Sequence, residues 1–244
     1  MNAPQLTSYR LLAEYSAGQR NFERIDLRES DLAGRQLSGV SLCRADLTSA
    51  CCVGSVMNHA HLTGAMMWRA DLSNASLRWA NLHQAVMVRC AAQAANFSGA
   101  CLHRADLRLA NLRGTCFAGA DLRGAKLCYS DLQGANLTGA DLTGADLTGA
   151  KLTGACLDSV CLRAALLPDE QPTTTVAPED ATSASNEEDA SRSMSEMLSE
   201  SEMLSESEML SESEALSEPD APSGSDDAVL KDLRDYASQS LTAV

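Results

Sequence analysis

The chain has 244 residues, 45% of them apolar but only 4% aromatic, and a formal net charge of −14. So few large rings exclude a globular core of ordinary build, and no apolar run approaches the ~20 residues that a membrane helix needs. The charge is divided: residues 1–168 carry 16 basic and 13 acidic side chains, a net +3, whereas residues 169–244 carry 3 and 20, a net −17.

The chain begins MNAPQLTSYRLL, which lacks the basic segment and apolar stretch of a secretory signal. The expected location is therefore cytoplasmic. Nine cysteines, an odd number without a Cys-x-x-Cys pair, fit neither a disulfide framework nor a zinc ribbon and read as reduced thiols. Residues 1–20 read as a cap. A short helix is expected there, capped by Thr7 or Ser8 and stopped at Gly18, and able to cover an open strand edge behind it.

From Phe22 to Leu167 the chain repeats every five residues. Every fifth position is Leu except Phe22, Phe97, Phe117, Met57, Met67, Met87, Cys52 and Ala92. Two residues earlier Ala dominates, one residue earlier Asp or Asn recurs, and two residues later Gly occurs at thirteen positions. The unit is purest in ANLTGADLTGADLTGAKLTGA (135–155). Ala and Leu two apart face one side of an extended segment. A turn after each unit, suited to Gly, would return the next pair to the same interior. Four such corners close a square coil of twenty residues. Stacked at strand spacing, about seven and a half coils make a column on the order of 36 Å long, an all-β solenoid.

These residues resemble the pentapeptide-repeat family, and the resemblance covers 21–167. It implies a right-handed four-sided β-helix. The lead-in LLAEYSAGQRNF (11–22) is similar to that of many bacterial, notably cyanobacterial, members. Some members are dimeric rods that imitate duplex DNA and occupy DNA gyrase. That role asks for an acidic surface, whereas the repeat region here sums with its cap to +3.

Position modulo twenty assigns outward side chains to four faces, named here by Phe22, Leu27, Leu32 and Leu37; a bulge at Cys51–Cys52 or Ala91–Ala92 would shift the assignment. The Leu27 face carries Met66, Trp68, Val86 and Val88, then Leu109, Cys128 and Tyr129, with members twenty apart stacked. An apolar patch of this kind marks a protein interface, self-dimer included, or a surface covered by a loop or tail of the same chain. The Phe22 and Leu27 faces together hold Arg24, Arg44, Arg104, Arg123, Arg163, Arg28, Arg69, Arg89, Arg108 and Lys126. That ridge reads as a weak anion-binding site or as a solvated mixed-charge surface. Without interleaved aromatics it disfavours nucleic acid. His83 stacks with His103 near Cys101, but no third convergent ligand accompanies them, so no metal is expected. No catalytic constellation emerges, and no cofactor is expected.

Residues 168–225 read as a disordered acidic Ser/Glu-rich linker. Inside it EMLSES occurs at 196–201, 202–207 and 208–213, a motif for weak multivalent binding or the product of neutral expansion. Residues 226–244 read as an amphipathic terminal helix with Val229, Leu230, Leu233, Tyr236 and Leu241 in its apolar stripe, a recognition or capping element. The sequence thus points to a non-enzymatic protein-interaction scaffold, with a DNA-mimicking regulator of gyrase as the alternative.

Overall fold

The structure, a computed structural model, describes residues 3–168. The readings made for residues 169–244, terminal helix and EMLSES repeats included, lie outside the described residues.

Helix α1 spans Ala3–Ser16, so Thr7 and Ser8 lie within it instead of capping it. Pro4 explains the earlier start, since a ring with preset φ and no N–H suits a first helical turn. The other end stops where expected. Gly18 adopts φ 99°, its N–H donates to the Tyr15 carbonyl at 3.0 Å, and the Gln19 N–H donates to Glu14 at 2.9 Å. This bond pair is the Schellman stop. Leu11 is fully buried against the first coil, and the Tyr15 hydroxyl donates to the Ser38 carbonyl at 2.8 Å.

Beyond α1, parallel β-bridges join residues twenty apart, from Asn21↔Ser41 through to Asp146↔Leu166. Each is a single-residue bridge, and no longer strand occurs among the described residues. The extended segment is this short because a turn consumes most of every unit. The frame runs unshifted through Asp31↔Cys51, Cys51↔Asp71, Asp71↔Ala91 and Ala91↔Asn111, so neither suspected bulge exists.

Backbone donors explain why the unit is five residues long. In the unit around Leu27, the Leu27 N–H donates to Asp46 O at 2.7 Å and the Glu29 N–H to Thr48 O at 2.9 Å, both one coil on. The Ser30 N–H closes the turn onto Leu27 O at 3.1 Å. In the next coil the Asp46 N–H reaches back to Ile25 O at 2.9 Å. That leaves the residue after Leu, here Arg28, whose N–H donates to the Asp26 carboxylate at 3.1 Å. All nine recurrent aspartates, from Asp26 to Asp146, accept this bond. The asparagines at 21, 81, 96, 111 and 136 do the same. Asp and Asn recur because a short side-chain acceptor completes the turn.

Every fifth residue from Arg24 to Ala164 has φ between 54° and 70°, and thirteen of these are glycine. The corner conformation is thus imposed by stacking even where the sequence offers Arg, His, Trp, Leu or Tyr, at a cost on the order of 1 kcal/mol each. Inside, the Leu column and its Ala neighbours form one continuous buried core. Phe97 and Phe117 stack within it at 5.3 Å. Phe97 shares its coil with Ala92, the smallest residue of the Leu column.

Candidate interaction surface

The Leu27 face is built by one row of bridges: Asp26, Asp46, Met66, Val86, Asp106, Lys126, Asp146 and Leu166 pair in succession. Met66 and Val86 therefore sit directly over one another where the row otherwise holds mostly aspartate. They are 44% and 38% exposed. Trp68 and Val88 flank them at the following corner and are half-buried. Leu109 is half-buried as well, whereas Tyr129, one coil on, is 53% exposed. The six residues thus form a strip whose outermost members are Met66, Val86 and Tyr129.

Replacing aspartate by Met66 and Val86 also removes two turn acceptors. The N–H groups of Trp68 and Val88, which an aspartate at 66 or 86 would accept, have no hydrogen-bond partner among the described residues. Around the strip the guanidinium groups divide into two sets. Arg28 pairs with Asp26 at 2.7 Å and lies 3.7 Å from Asp46, while Arg108 pairs with Asp106 at 2.8 Å. Arg123 pairs with Asp121 at 2.8 Å and holds that carboxyl below its usual range, chiefly by a side-chain hydrogen bond. Arg44, Arg69 and Arg89, at the two corners bordering Met66 and Val86, form no ion pair among the described residues. Arg69 instead lies over the Trp68 ring at 4.3 Å, a cation–π contact.

Long corner side chains lean onto the next coil. A Cβ added at Gly64 would lie 3.5 Å from Arg44 Cγ, and one at Gly124 would lie 3.5 Å from Arg104 Cγ. The same geometry exposes a residue the sequence reading passed over. Trp79 is 50% exposed on the opposite corner, stacked on His59 at 5.0 Å and capped by the Arg78 guanidinium at 4.3 Å. A Cβ at Gly99 would approach within 2.6 Å of its ring. Gly99, twenty residues after Trp79, is the signal that marks it. Tyr129 lies over Gly149 in the same way.

The remaining candidates resolve into structural roles. His83 and His103 stack at 5.3 Å with ring planes only 8° apart, so their nitrogens do not converge on a common point between them. No cluster of three or more metal-ligating side chains occurs among the described residues. Desolvation, outweighing the pull of Asp121, lowers the His103 pKa from its ordinary 6.5. Cys52 and Cys90 fill inward positions, and burial pushes both thiols up to about 12. Cys128 donates to Asp146 at 2.9 Å. No helix among the described residues is long and apolar enough to cross a membrane.

The family described as pentapeptide repeats (8 copies) matches over residues 25–64, 70–108, 93–127, 105–144 and 130–167. Among solved structures, the chain is 30% identical to HetL from the cyanobacterium Nostoc sp. strain PCC 7120, a protein involved in heterocyst differentiation regulation. The match covers 66% of this chain and 97% of that one, with a TM-score of 0.30. QnrB1, a plasmid-mediated fluoroquinolone resistance protein, is 20% identical over 60% of this chain and 78% of its own, with a TM-score of 0.39. Rfr23 from the cyanobacterium Cyanothece 51142 is 22% identical over 66% and 97%, with a TM-score of 0.26. No curated protein matches the chain in sequence. Five-residue units running in frame from α1 to Leu167, with a family match over more than half of the chain, make the chain a member of the pentapeptide-repeat family.

Proposed function

We propose that the protein is a non-enzymatic interaction scaffold whose β-helix presents the Met66, Trp68, Val86, Val88, Leu109 and Tyr129 strip to a protein partner, which a second copy of the chain would also satisfy. The observation that carries this reading is the pair Met66 and Val86. They are exposed and stacked on a row where aspartate serves the turn at four of the other six positions. The substitution costs the turns two hydrogen bonds and places apolar surface in water, which the fold itself does not require.

Gyrase regulation by DNA mimicry is the weaker reading. The recurrent aspartates spend their carboxylates on turn N–H groups and on arginines, and residues 1–168 sum to +3. The test is Met66→Asp with Val86→Asp, which restores two turn acceptors while removing the apolar centre. Thermal stability should hold or rise, and partner capture or self-association should be lost. Unchanged capture together with unchanged self-association would defeat the proposal.

A further inference from the structure

The interaction strip is a surface of particular chemistry. Its centre is apolar: Met66 over Val86, with Trp68 and Val88 beside them. In that centre the N–H groups of Trp68 and Val88 lack the acceptor that Asp46 gives to Thr48 and Asp106 gives to Arg108 in the adjoining coils, at 3.0 and 3.2 Å. At its margins stand Arg44, Arg69 and Arg89, none of them ion-paired among the described residues. The nearest carboxylates on the row, Asp46 and Asp106, accept from their own turns, and Arg28 and Arg108 stand beside them.

From this juxtaposition we propose that the strip binds an acidic, apolar-rich segment of a partner protein, with the partner's carboxylates meeting the arginines and the N–H groups of residues 68 and 88. The inference rests on the interaction-scaffold reading and specifies its partner. Charge complementarity selects the occupant. A basic or neutral apolar segment would leave three guanidinium groups without a charged partner, which costs affinity whenever water is excluded. An acidic segment without apolar residues would leave Met66 and Val86 uncovered. Carboxylate bonds to N–H groups and guanidinium forks are charge-assisted and stronger than neutral ones, so specificity lies in the margin and buried area in the centre.

The experiment measures fluorescence anisotropy with full-length protein and three labelled peptides: alternating Glu–Leu, alternating Glu–Ser and alternating Lys–Leu. The Glu–Leu peptide should bind at least tenfold more tightly than either control, and its binding should weaken as salt rises. Arg69→Gln with Arg89→Gln should reduce that binding at least tenfold. Gln84 holds the same corner backbone at φ 54°, so this variant should keep its fold, and an unchanged melting curve checks it. Met66→Asp with Val86→Asp should likewise abolish Glu–Leu binding. Equal binding of the Lys–Leu peptide, equal binding of the Glu–Ser peptide, or no effect of the arginine variant would each overturn the proposal. If Met66→Asp with Val86→Asp loses a captured partner or a self-dimer that the arginine variant retains, the scaffold reading stands and the acidic occupant falls. If neither variant alters any interaction, both fall together.

Discussion

Replacing Gly99 by Ala tests whether corner side chains are seated by the glycine one coil on. Gly99 and Gly119 belong to the same corner, with φ 65° and 64°. Each alanine variant therefore meets the same backbone cost, on the order of 1 kcal/mol. A Cβ at Gly119 meets nothing within 4 Å, whereas one at Gly99 meets Trp79 Cδ1 at 2.6 Å and Nε1 at 2.8 Å. The indole must swing away, giving up its His59 stack at 5.0 Å and its Arg78 contact at 4.3 Å. Losing the stack and the cation–π contact adds roughly 1–2 kcal/mol. Denaturant unfolding should thus place Gly99→Ala about 1–2 kcal/mol below Gly119→Ala, a gap of roughly 2–8 °C in Tm. In a Trp68→Phe background, Trp79 emission should shift to the red in Gly99→Ala alone. Adding Trp79→Ala should remove the difference between the two glycine variants. Equal destabilisation at both glycines, or a difference that survives Trp79→Ala, would refute the reasoning.

Other positions test the same packing logic. The Ser55 hydroxyl is buried without a partner, so Ser55→Ala should raise stability by roughly 1 kcal/mol. Thr115→Ala, which removes a 2.7 Å bond to the Ala92 carbonyl, should lower it by about 1 kcal/mol, with thermal unfolding reading both. Leu107, fully buried in mid-column, should cost roughly 2–5 kcal/mol when replaced by Ala, whereas Thr153→Ala on the outside should stay within about 0.5 kcal/mol. Similar losses at both sites would place the inside–outside register in error. His103 has a folded pKa below 6.5, so near that value the unfolded chain binds more protons and stability falls as pH drops through it. Tm measured from pH 7.5 to 5 should decline, and His103→Gln should make the decline shallower.

The period, the inward Leu and Ala columns and the twenty-residue stacking were legible because each unit repeats the same physical problem. A shared interior requires one turn per five residues, and only small residues fit beside the Leu column. The stop of α1 was legible at Gly18, but its start was not, since Pro4 extends the helix past Thr7 and Ser8. The recurrence of aspartate before the Leu column was legible, yet its purpose depends on the one N–H that neither coil nor turn consumes, and a sequence does not display that count. Trp79 was missed for a related reason. Neighbours on its face are polar, and only the leaning of corner side chains onto Gly99 reveals its seat. On the strip, spacing gave the stacking of Met66 with Val86 and of Trp68 with Val88. It did not give the difference in depth, with Met66, Val86 and Tyr129 outermost and Trp68 drawn in under Arg69.

The central claim is that the Met66–Val86 strip is where this scaffold meets its partner. The most direct measurement is cross-linked capture from the native host, combined with sedimentation of the purified protein, for the wild type and for Met66→Asp with Val86→Asp. The account predicts a species retained by the wild type and lost from the variant, while the variant melts no lower because its restored aspartates bond the turn N–H groups of residues 68 and 88. An identical set of captured proteins and an identical sedimentation profile for the two would contradict it.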